Sequence, residues 1–151
     1  GRGEEAPRAG RLVELAPRST VEGNLAFVYL PFVTEWEARE CGWPSAQAWL
    51  DAQASDALRA AEANYAGVLA FAHLEVPGAR ANAWDAGQRD VGLRVPEALL
   101  RSERVIRVFA GHVHRRQVIG RVAVVGSALH CDFGEADDPK GSVLAEVSWT
   151  E

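Results

Sequence analysis

The sequence predicts an α/β or α+β domain, in which a mixed β-sheet is flanked by helices. Three features lead to this prediction. Apolar runs of strand length recur along the chain, an alanine-rich stretch with helical spacing separates two of them, and the last runs follow one another closely. A length of 151 residues with 48% hydrophobic residues suits one compact domain.

The N-terminal part of the chain is predicted to contain an arm and two strands. Residues 1–10 are rich in Gly, Glu, Arg and Pro and show no periodicity, so we expect a loose arm before a domain at 11–151. The short apolar segment 12–15 is a candidate strand. The run "NLAFVYLPF" is stopped by Pro31, which predicts a buried strand at 25–30.

The middle of the chain predicts one long helix between buried strands. Ser45 has the side chain of a helix N-cap, and the apolar residues after it recur at helical spacing, which predicts a helix at 46–65. The next apolar run predicts a strand at 68–73, and a proline in the first turn marks a short helix at 95–100. A further apolar run predicts a strand at 105–110.

The C-terminal part predicts short strands joined by turns. Two strands are expected to turn at Gly120, the second of them at 122–125. Residues 130–141 are rich in Asp and Gly, which predicts a loop, and the apolar segment at 143–147 predicts a last strand. Strands that first alternate with helices and then follow one another indicate a mixed sheet.

Composition and charge limit the classes of protein to which the chain can belong. The net charge is −5 and the isoelectric point about 5.4, which argues against a dedicated nucleic-acid-binding module but not against an enzyme that holds phosphates through metal ions. No apolar run approaches the length of a membrane span, and residues 1–20 lack the apolar core of a secretory signal. Cys41 and Cys131 match no zinc or redox spacing, so we expect two free thiols and a cytoplasmic location.

The four histidines lie at or just after the ends of predicted strands, at positions 73, 112, 114 and 130. His112 and His114 are separated by one residue, so in extended backbone both side chains point to the same side, and Gly111 allows a tight turn before them. Imidazole nitrogens suit Mn, Fe and Zn ions. The alternative for this pair is a surface His-x-His without a ligand, and the alternative for His73 is a core histidine bonded to a backbone carbonyl.

Four short motifs in the C-terminal part of the chain occur in a fixed order. They are Gly-His-x-His at 111–114, Gly-Ser at 126–127, Phe-Gly-Glu at 133–135 and Lys-Gly at 140–141, and the lone histidine of "FAHLEVPGA" precedes them. The set resembles the last part of the calcineurin-like metallophosphoesterase domain and is most similar to the SbcD-type DNA-repair exonucleases. The resemblance covers residues 25–147, and it implies that the chain forms half of the β-sandwich of that domain.

The resemblance implies a role for each matching residue. His73 and His112 would bind one of two divalent metal ions, with Mn²⁺ the expected metal, and His114 would bind the other. The residues that would border the site without binding metal are Gly111, Gly126 and Ser127. For the neighbouring residues 130–132, a simple connection between two strands is the favoured interpretation. The implied activity is two-metal hydrolysis of phosphodiesters, of the DNA exonuclease kind.

The first half of the family's site has no counterpart in the sequence. The motifs Asp-x-His, Gly-Asp-x-x-Asp and Gly-Asn-His are absent, and the one Gly-Asn pair is followed by Leu25. We therefore expect an N-terminal half outside this sequence to supply the bridging carboxylate and the histidine that protonates the leaving group, so no catalytic residue is assigned here. The resemblance implies an SbcC-like ATPase and DNA as further partners, and no membrane. Without the N-terminal half we expect weak metal binding and an exposed apolar surface.

Three alternatives remain open at this point. The substrate could be a smaller phosphodiester rather than DNA. The chain could be a catalytically inactive phosphoesterase-like module that binds another protein. Its three histidines could also hold a single zinc ion, with water as the fourth ligand.

Overall fold

The predicted mixed sheet with flanking helices is confirmed. The computed structural model describes residues 18–20, 23–80, 92–131 and 133–148, so the predicted arm and first short strand lie outside the described residues. The strands are β1 (Arg18–Thr20), β2 (Gly23–Leu30), β3 (Gly67–Ala72), β4 (Val105–Ala110), β5 (Gln117–Ile119) and β6 (Val122–Val124). Within the described residues they form a six-stranded sheet in the order β1-β2-β3-β4-β6-β5.

The four inner strands run parallel, and each edge strand runs antiparallel to its neighbour. β2, β3 and β4 are aligned so that Tyr29 pairs with Phe71 and Phe71 with Phe109. β5 and β6 are joined by a turn at Gly120, as the sequence predicts. The other predicted strands that the structure confirms are those at 25–30, 68–73, 105–110 and 122–125.

The helices of the described residues are α1 (Glu35–Glu40), α2 (Ala46–Asn64) and α3 (Glu97–Arg101). The predicted long helix is confirmed as α2, and Ser45 caps it because its hydroxyl oxygen accepts a hydrogen bond from the amide of Ala48 at 3.1 Å. The sequence did not predict α1, which is too short to show a helical period and instead depends on a capping box between Thr34 and Glu37. No helix in the described part of the chain is long and apolar enough to cross a membrane.

Alternation along the central strands gives the sheet two different faces. One face carries small side chains such as Ala26, which is 0% exposed and packs in the core with α2. The other face, which we call the aromatic face, consists of Phe27, Tyr29, Phe71 and Phe109. The ring of Phe71 stacks on the rings of Phe27, Tyr29 and Phe109 at centroid distances of 6.2, 5.1 and 5.3 Å. No helix of the described residues covers this face, and Tyr29 remains 46% exposed.

The strand predicted at 143–147 is wrong. These residues pair with no strand in the described ranges, and Leu144 is 98% exposed. The position beside β6 is occupied by β5, and the segment instead lies along the aromatic face, where Val143 and Ala145 help to line a groove of about 610 Å³. An apolar run indicates that a segment could form a strand, but a strand also needs an edge with which to pair.

Candidate metal centre

β3 and β4 are parallel neighbours and end side by side. Ala72 pairs with Ala110, and the amide of Gly111 donates to the carbonyl of Ala72 at 2.8 Å. His73 follows β3 directly and His112 follows β4 after one residue, so their rings meet edge to face with centroids 5.4 Å apart. Ligands of open α/β sheets bind in the crevice outside the carboxyl ends of the strands. The fold thus brings two of the sequence-predicted ligands together at such a crevice.

Gly111 makes the close approach of the two rings possible. A Cβ atom at this position would lie 2.9 Å from Nδ1 of His73, too close for either atom to stay in place. Any other residue at this position would therefore displace the His73 ring. The glycine predicted to border the site lies directly against a histidine, at the end of β4.

His112 adopts a backbone conformation that is unfavourable for a residue with a side chain. Its φ is +80°, and no other non-glycine residue in the described part of the chain has a positive φ. The left-handed region costs an L-residue about 1–2 kcal/mol. Strain of this kind clusters at functional sites, where the surrounding structure enforces it. The His112 ring also lies near a carboxylate, with Nε2 3.8 Å from Oε1 of Glu75.

His73 is exposed, so the alternative of a core histidine is wrong. Partial desolvation is the largest cause of a lowered pKa at His73, and the nearby His112 and His114 lower that pKa further. The effect of His114 on this pKa places His114 within the electrostatic reach of His73. A lowered pKa favours the neutral imidazole at physiological pH, which is the form that binds metal ions.

His114 is anchored by a buried carboxylate. Its Nδ1 lies 2.6 Å from Oε1 of Glu135, at the end of the 3₁₀ turn Phe133–Glu135. Glu135 is 0% exposed and is the one buried charged residue among those the structure describes. The ammonium of Lys140 lies 2.8 Å from Oε2 of the same carboxylate. The hydrogen bond from Lys140 is the largest cause that lowers the pKa of Glu135 to about 2, followed by the bond from the Cys131 amide.

The predicted bordering residues Gly126 and Ser127 lie against the backbone of His114. The amide of Ser127 donates to the carbonyl of His114 at 3.0 Å. Gly126 has a φ of +76°, and a Cβ atom there would lie 2.9 Å from the same carbonyl oxygen. The Ser127 hydroxyl accepts a hydrogen bond from Lys140 at 2.7 Å and lies 3.3 Å from Glu135. One compact network therefore fixes both the ring and the backbone of His114.

A second set of possible ligands overlaps this anchor. His114, Cys131 and Glu135 each offer one ligand atom within 4.8 Å of the others, so the group could hold a metal ion. Two ligands of a tetrahedral zinc ion lie roughly 3.3 Å apart when each is ~2.0 Å from the metal. Nδ1 of His114 and Oε1 of Glu135 are 2.6 Å apart, which is a hydrogen-bond distance. The geometry therefore favours a hydrogen-bonded anchor over a ligand set.

Sequence reasoning missed the carboxylates and the ammonium that surround the histidines. Glu135 and Lys140 belong to the Phe-Gly-Glu and Lys-Gly motifs, which the sequence shows. The motifs do not indicate that these two side chains contact each other or that Glu135 contacts His114. Nothing in the sequence distinguishes Glu75. Cys131 lies in the predicted connection, where its amide donates to Glu135 at 2.9 Å, and Asp132 lies outside the described residues. Both cysteines are free, as predicted.

Comparison with known proteins adds no family to this description. No protein-family profile matches the chain, and no curated protein is significantly similar to it. The geometry and chemistry of the histidine cluster must therefore carry any functional assignment.

Proposed function

We propose that this chain is the C-terminal half of a calcineurin-like metallophosphoesterase domain, which hydrolyses phosphodiesters when its N-terminal half completes the site. One observation carries the proposal. His73 and His112 meet at the carboxyl ends of adjacent parallel strands, and the backbone of His112 is left-handed there. Because backbone strain clusters at functional sites, it favours a function for this pair over a surface His-x-His without a ligand.

The imidazoles fit the requirements of a divalent metal site. His73 and His112 would bind one ion, and His114 would bind a second through Nε2, because its Nδ1 is engaged by Glu135. Two divalent ions, expected to be Mn²⁺, supply Lewis-acid polarisation of a phosphoryl group and activation of water. In this proposal, the chain's own contribution is the imidazole nitrogen donors of His73, His112 and His114.

The site needs oxygen ligands that the histidine motifs do not supply. Two dications require a bridging carboxylate as well as imidazoles, and the carboxylate of Glu135 is already neutralised by Lys140. We assign the missing ligands to the N-terminal half of the domain. The aromatic face supports this assignment, since Tyr29 on it is 46% exposed, and a second layer of structure would bury it.

DNA is the substrate class that we favour, and a smaller phosphodiester is the runner-up. The net charge of −5 gives the chain little attraction for DNA by itself, so binding would depend on the metal ions and on a partner such as an SbcC-like ATPase. We place this activity in the cytoplasm, where two free thiols are stable. An inactive interaction module is the alternative, and it predicts that the carboxylate motifs are lost from the N-terminal half.

The test is a turnover assay with and without the N-terminal half. We expect the 151-residue chain alone to bind Mn²⁺ weakly and to leave bis-p-nitrophenyl phosphate intact, because three neutral imidazoles offer two dications no compensating charge. Supplying the N-terminal half should restore both Mn²⁺ binding and Mn²⁺-dependent hydrolysis. Metal content is measured on the same samples.

Two matched histidine variants provide the control for the assay. His114→Ala should abolish the restored hydrolysis because it removes a ligand, whereas His130→Ala should leave most of it. Full activity of the chain alone would show that the site needs no second half. A completed domain that binds Mn²⁺ but hydrolyses no phosphodiester would support the interaction module instead.

A further inference from the structure

We infer that Glu135 is a positioning residue for His114, which holds the Nδ1–H of the imidazole so that Nε2 presents its lone pair to the metal site. The inference rests on the proposed function for its purpose, but its structural content can be tested without metal or substrate. It gives a role to the buried network of Glu135, Lys140 and Ser127. The three proposed histidine ligands do not by themselves explain why this network is present.

The two oxygens of the Glu135 carboxylate have different partners. Oε2 lies 2.8 Å from the ammonium of Lys140 and 2.9 Å from the amide nitrogen of Cys131, and the Ser127 hydroxyl lies 3.3 Å away. Three donors leave no room for a proton on Oε2. Oε1 faces Nδ1 of His114 at 2.6 Å, within hydrogen-bond reach. An ionised carboxylate can only accept, so Nδ1 must be the donor.

A neutral imidazole with a proton on Nδ1 has its lone pair on Nε2. Histidines that bind metals commonly donate their other ring nitrogen to a carboxylate in this way, which fixes the tautomer and the ring orientation. Glu135 can impose this tautomer rigidly because it is 0% exposed and held by its own network. A surface carboxylate would exchange its partners with water.

The same network also fixes the backbone that carries the ring. The carbonyl of His114 accepts from the Ser127 amide at 3.0 Å and lies 3.4 Å from the ammonium of Lys140. Lys140 thus contacts both the carboxylate that holds the ring and the carbonyl of the same residue. The side chain of Lys140 is 8% exposed, so this bridge is shielded from solvent.

The alternative is that Glu135 is itself a metal ligand, together with His114 and Cys131. It would require Nδ1 of His114 to lose its proton and Oε1 of Glu135 to move away from it, since 2.6 Å is shorter than the spacing of two ligands on one ion. With a metal ion bound, the two assignments predict opposite tautomers of His114, so the titration with Zn²⁺ described below separates them.

The test is a nitrogen NMR spectrum of the full chain labelled with ¹⁵N-histidine, recorded without metal at about pH 8, where free imidazole is neutral. We expect His114 to show a protonated Nδ1 and an unprotonated Nε2. His114→Gln identifies its signals. A proton on Nε2, or protons on both nitrogens, would overturn the inference whatever the activity of the protein.

A double variant, Glu135→Leu with Lys140→Met, removes both charges together, so that neither is left buried without its partner. If the inference holds, this variant shifts His114 toward the Nε2–H tautomer and leaves the tautomers of His73 and His112 unchanged. Should it fail to fold, the wild-type spectrum alone still decides the question.

Titration with Zn²⁺ alone, followed in the same spectra, separates this inference from the proposed function. Perturbation of Nε2 of His114 by zinc supports positioning, with a loss of about 10–100-fold in affinity for the double variant. Perturbation of Nδ1 instead would make Glu135 and Cys131 ligands and overturn it. A positioned tautomer in a completed domain that lacks hydrolysis would refute the proposed function and leave this inference intact.

Discussion

The two parts of the histidine cluster are held in position by different means. His73 and His112 meet because two neighbouring strands end together, and their rings are exposed at the carboxyl end of the sheet. His114 is held by a buried carboxylate, that of Glu135, which is itself paired with the almost fully buried Lys140. The strand register, the absence of a side chain at Gly111 and the left-handed backbone of His112 place the first pair. The third ring depends on residues 21 and 26 positions further along the chain.

This difference explains what each part can tolerate. The strand ends can accept a change of side chain at the rings, because those rings face solvent and pack little. Removing either Glu135 or Lys140 from the anchor of His114 should destabilise the fold, because each of these two buried charges compensates the other. We therefore expect stability to depend mainly on the anchor, while the strained His112 lowers stability slightly.

The largest expected effect is that of Lys140→Met. It leaves the carboxylate of Glu135 buried without its ammonium partner, and breaking a buried ion pair in this way costs about 3–5 kcal/mol. Urea unfolding followed by tryptophan fluorescence measures the loss, and the five tryptophans of the chain provide the signal.

The control is an exposed ion pair of the same type. Arg59 lies 3.0 Å from Asp56 on the surface of α2, with side chains 77% and 67% exposed, so Arg59→Met should cost less than about 1 kcal/mol. If Lys140→Met and Arg59→Met had the same small effect, the anchor would not be a buried ion pair in solution.

Glycine substitutions at His112 and His114 are expected to change the free energy of unfolding by smaller amounts and with opposite signs. His112→Gly relieves a left-handed backbone worth about 1–2 kcal/mol and adds an entropy cost of about 0.5–1 kcal/mol, so it should stabilise the fold by up to about 1.5 kcal/mol. His114→Gly removes the partner of a buried acceptor and should destabilise the fold by about 1–3 kcal/mol.

Equilibrium unfolding of the two glycine variants measures both changes in the free energy of unfolding and therefore tests both signs. A destabilised His112→Gly would mean that its ring contributes packing that outweighs the strain. His112→Ala serves as the reference, because it removes the ring but keeps the β-carbon that makes the conformation unfavourable.

The strands and the long helix could be predicted from the sequence because each depends on a local pattern. The apolar run that ends in Ala110 and the cap at Ser45 are sufficient to specify their elements. The segment at 143–147 shows the limit of this reasoning, since its apolar run is typical of a strand but it pairs with no strand in the described residues. Pairing is a property of the whole sheet and leaves no mark in a short window.

The candidate site divides in the same way. The positions of His73 and His112 after apolar runs indicate two side chains at strand ends, and only the fold makes those strands neighbours. The partner of His114 could not be predicted, because a glutamate in a loop has the same sequence signature whether it is solvated or fully buried. The φ of His112 likewise leaves no trace in the residue type.

The smallest expected effect concerns proton binding at the exposed pair. The pKa of His73 lies below its ordinary value of 6.5, because of desolvation first and the nearby His112 and His114 second. The unfolded chain therefore binds the proton more tightly, so this contribution to stability is complete above about pH 6.5 and is lost as the pH falls through the folded value. An NMR titration of the His73 ring measures the shift directly.

His112→Ala should raise the pKa of His73 only part of the way toward 6.5, since desolvation is the larger cause and the charge of His112 the smaller. His130→Ala, outside the cluster, should leave the titration of His73 unchanged. An unaltered His73 titration in His112→Ala would mean that the two rings do not meet in solution. That result would remove the meeting of His73 and His112, on which the proposed metal site depends. It would do so even if the anchor of His114 behaved as expected, because a single anchored imidazole cannot hold a pair of metal ions.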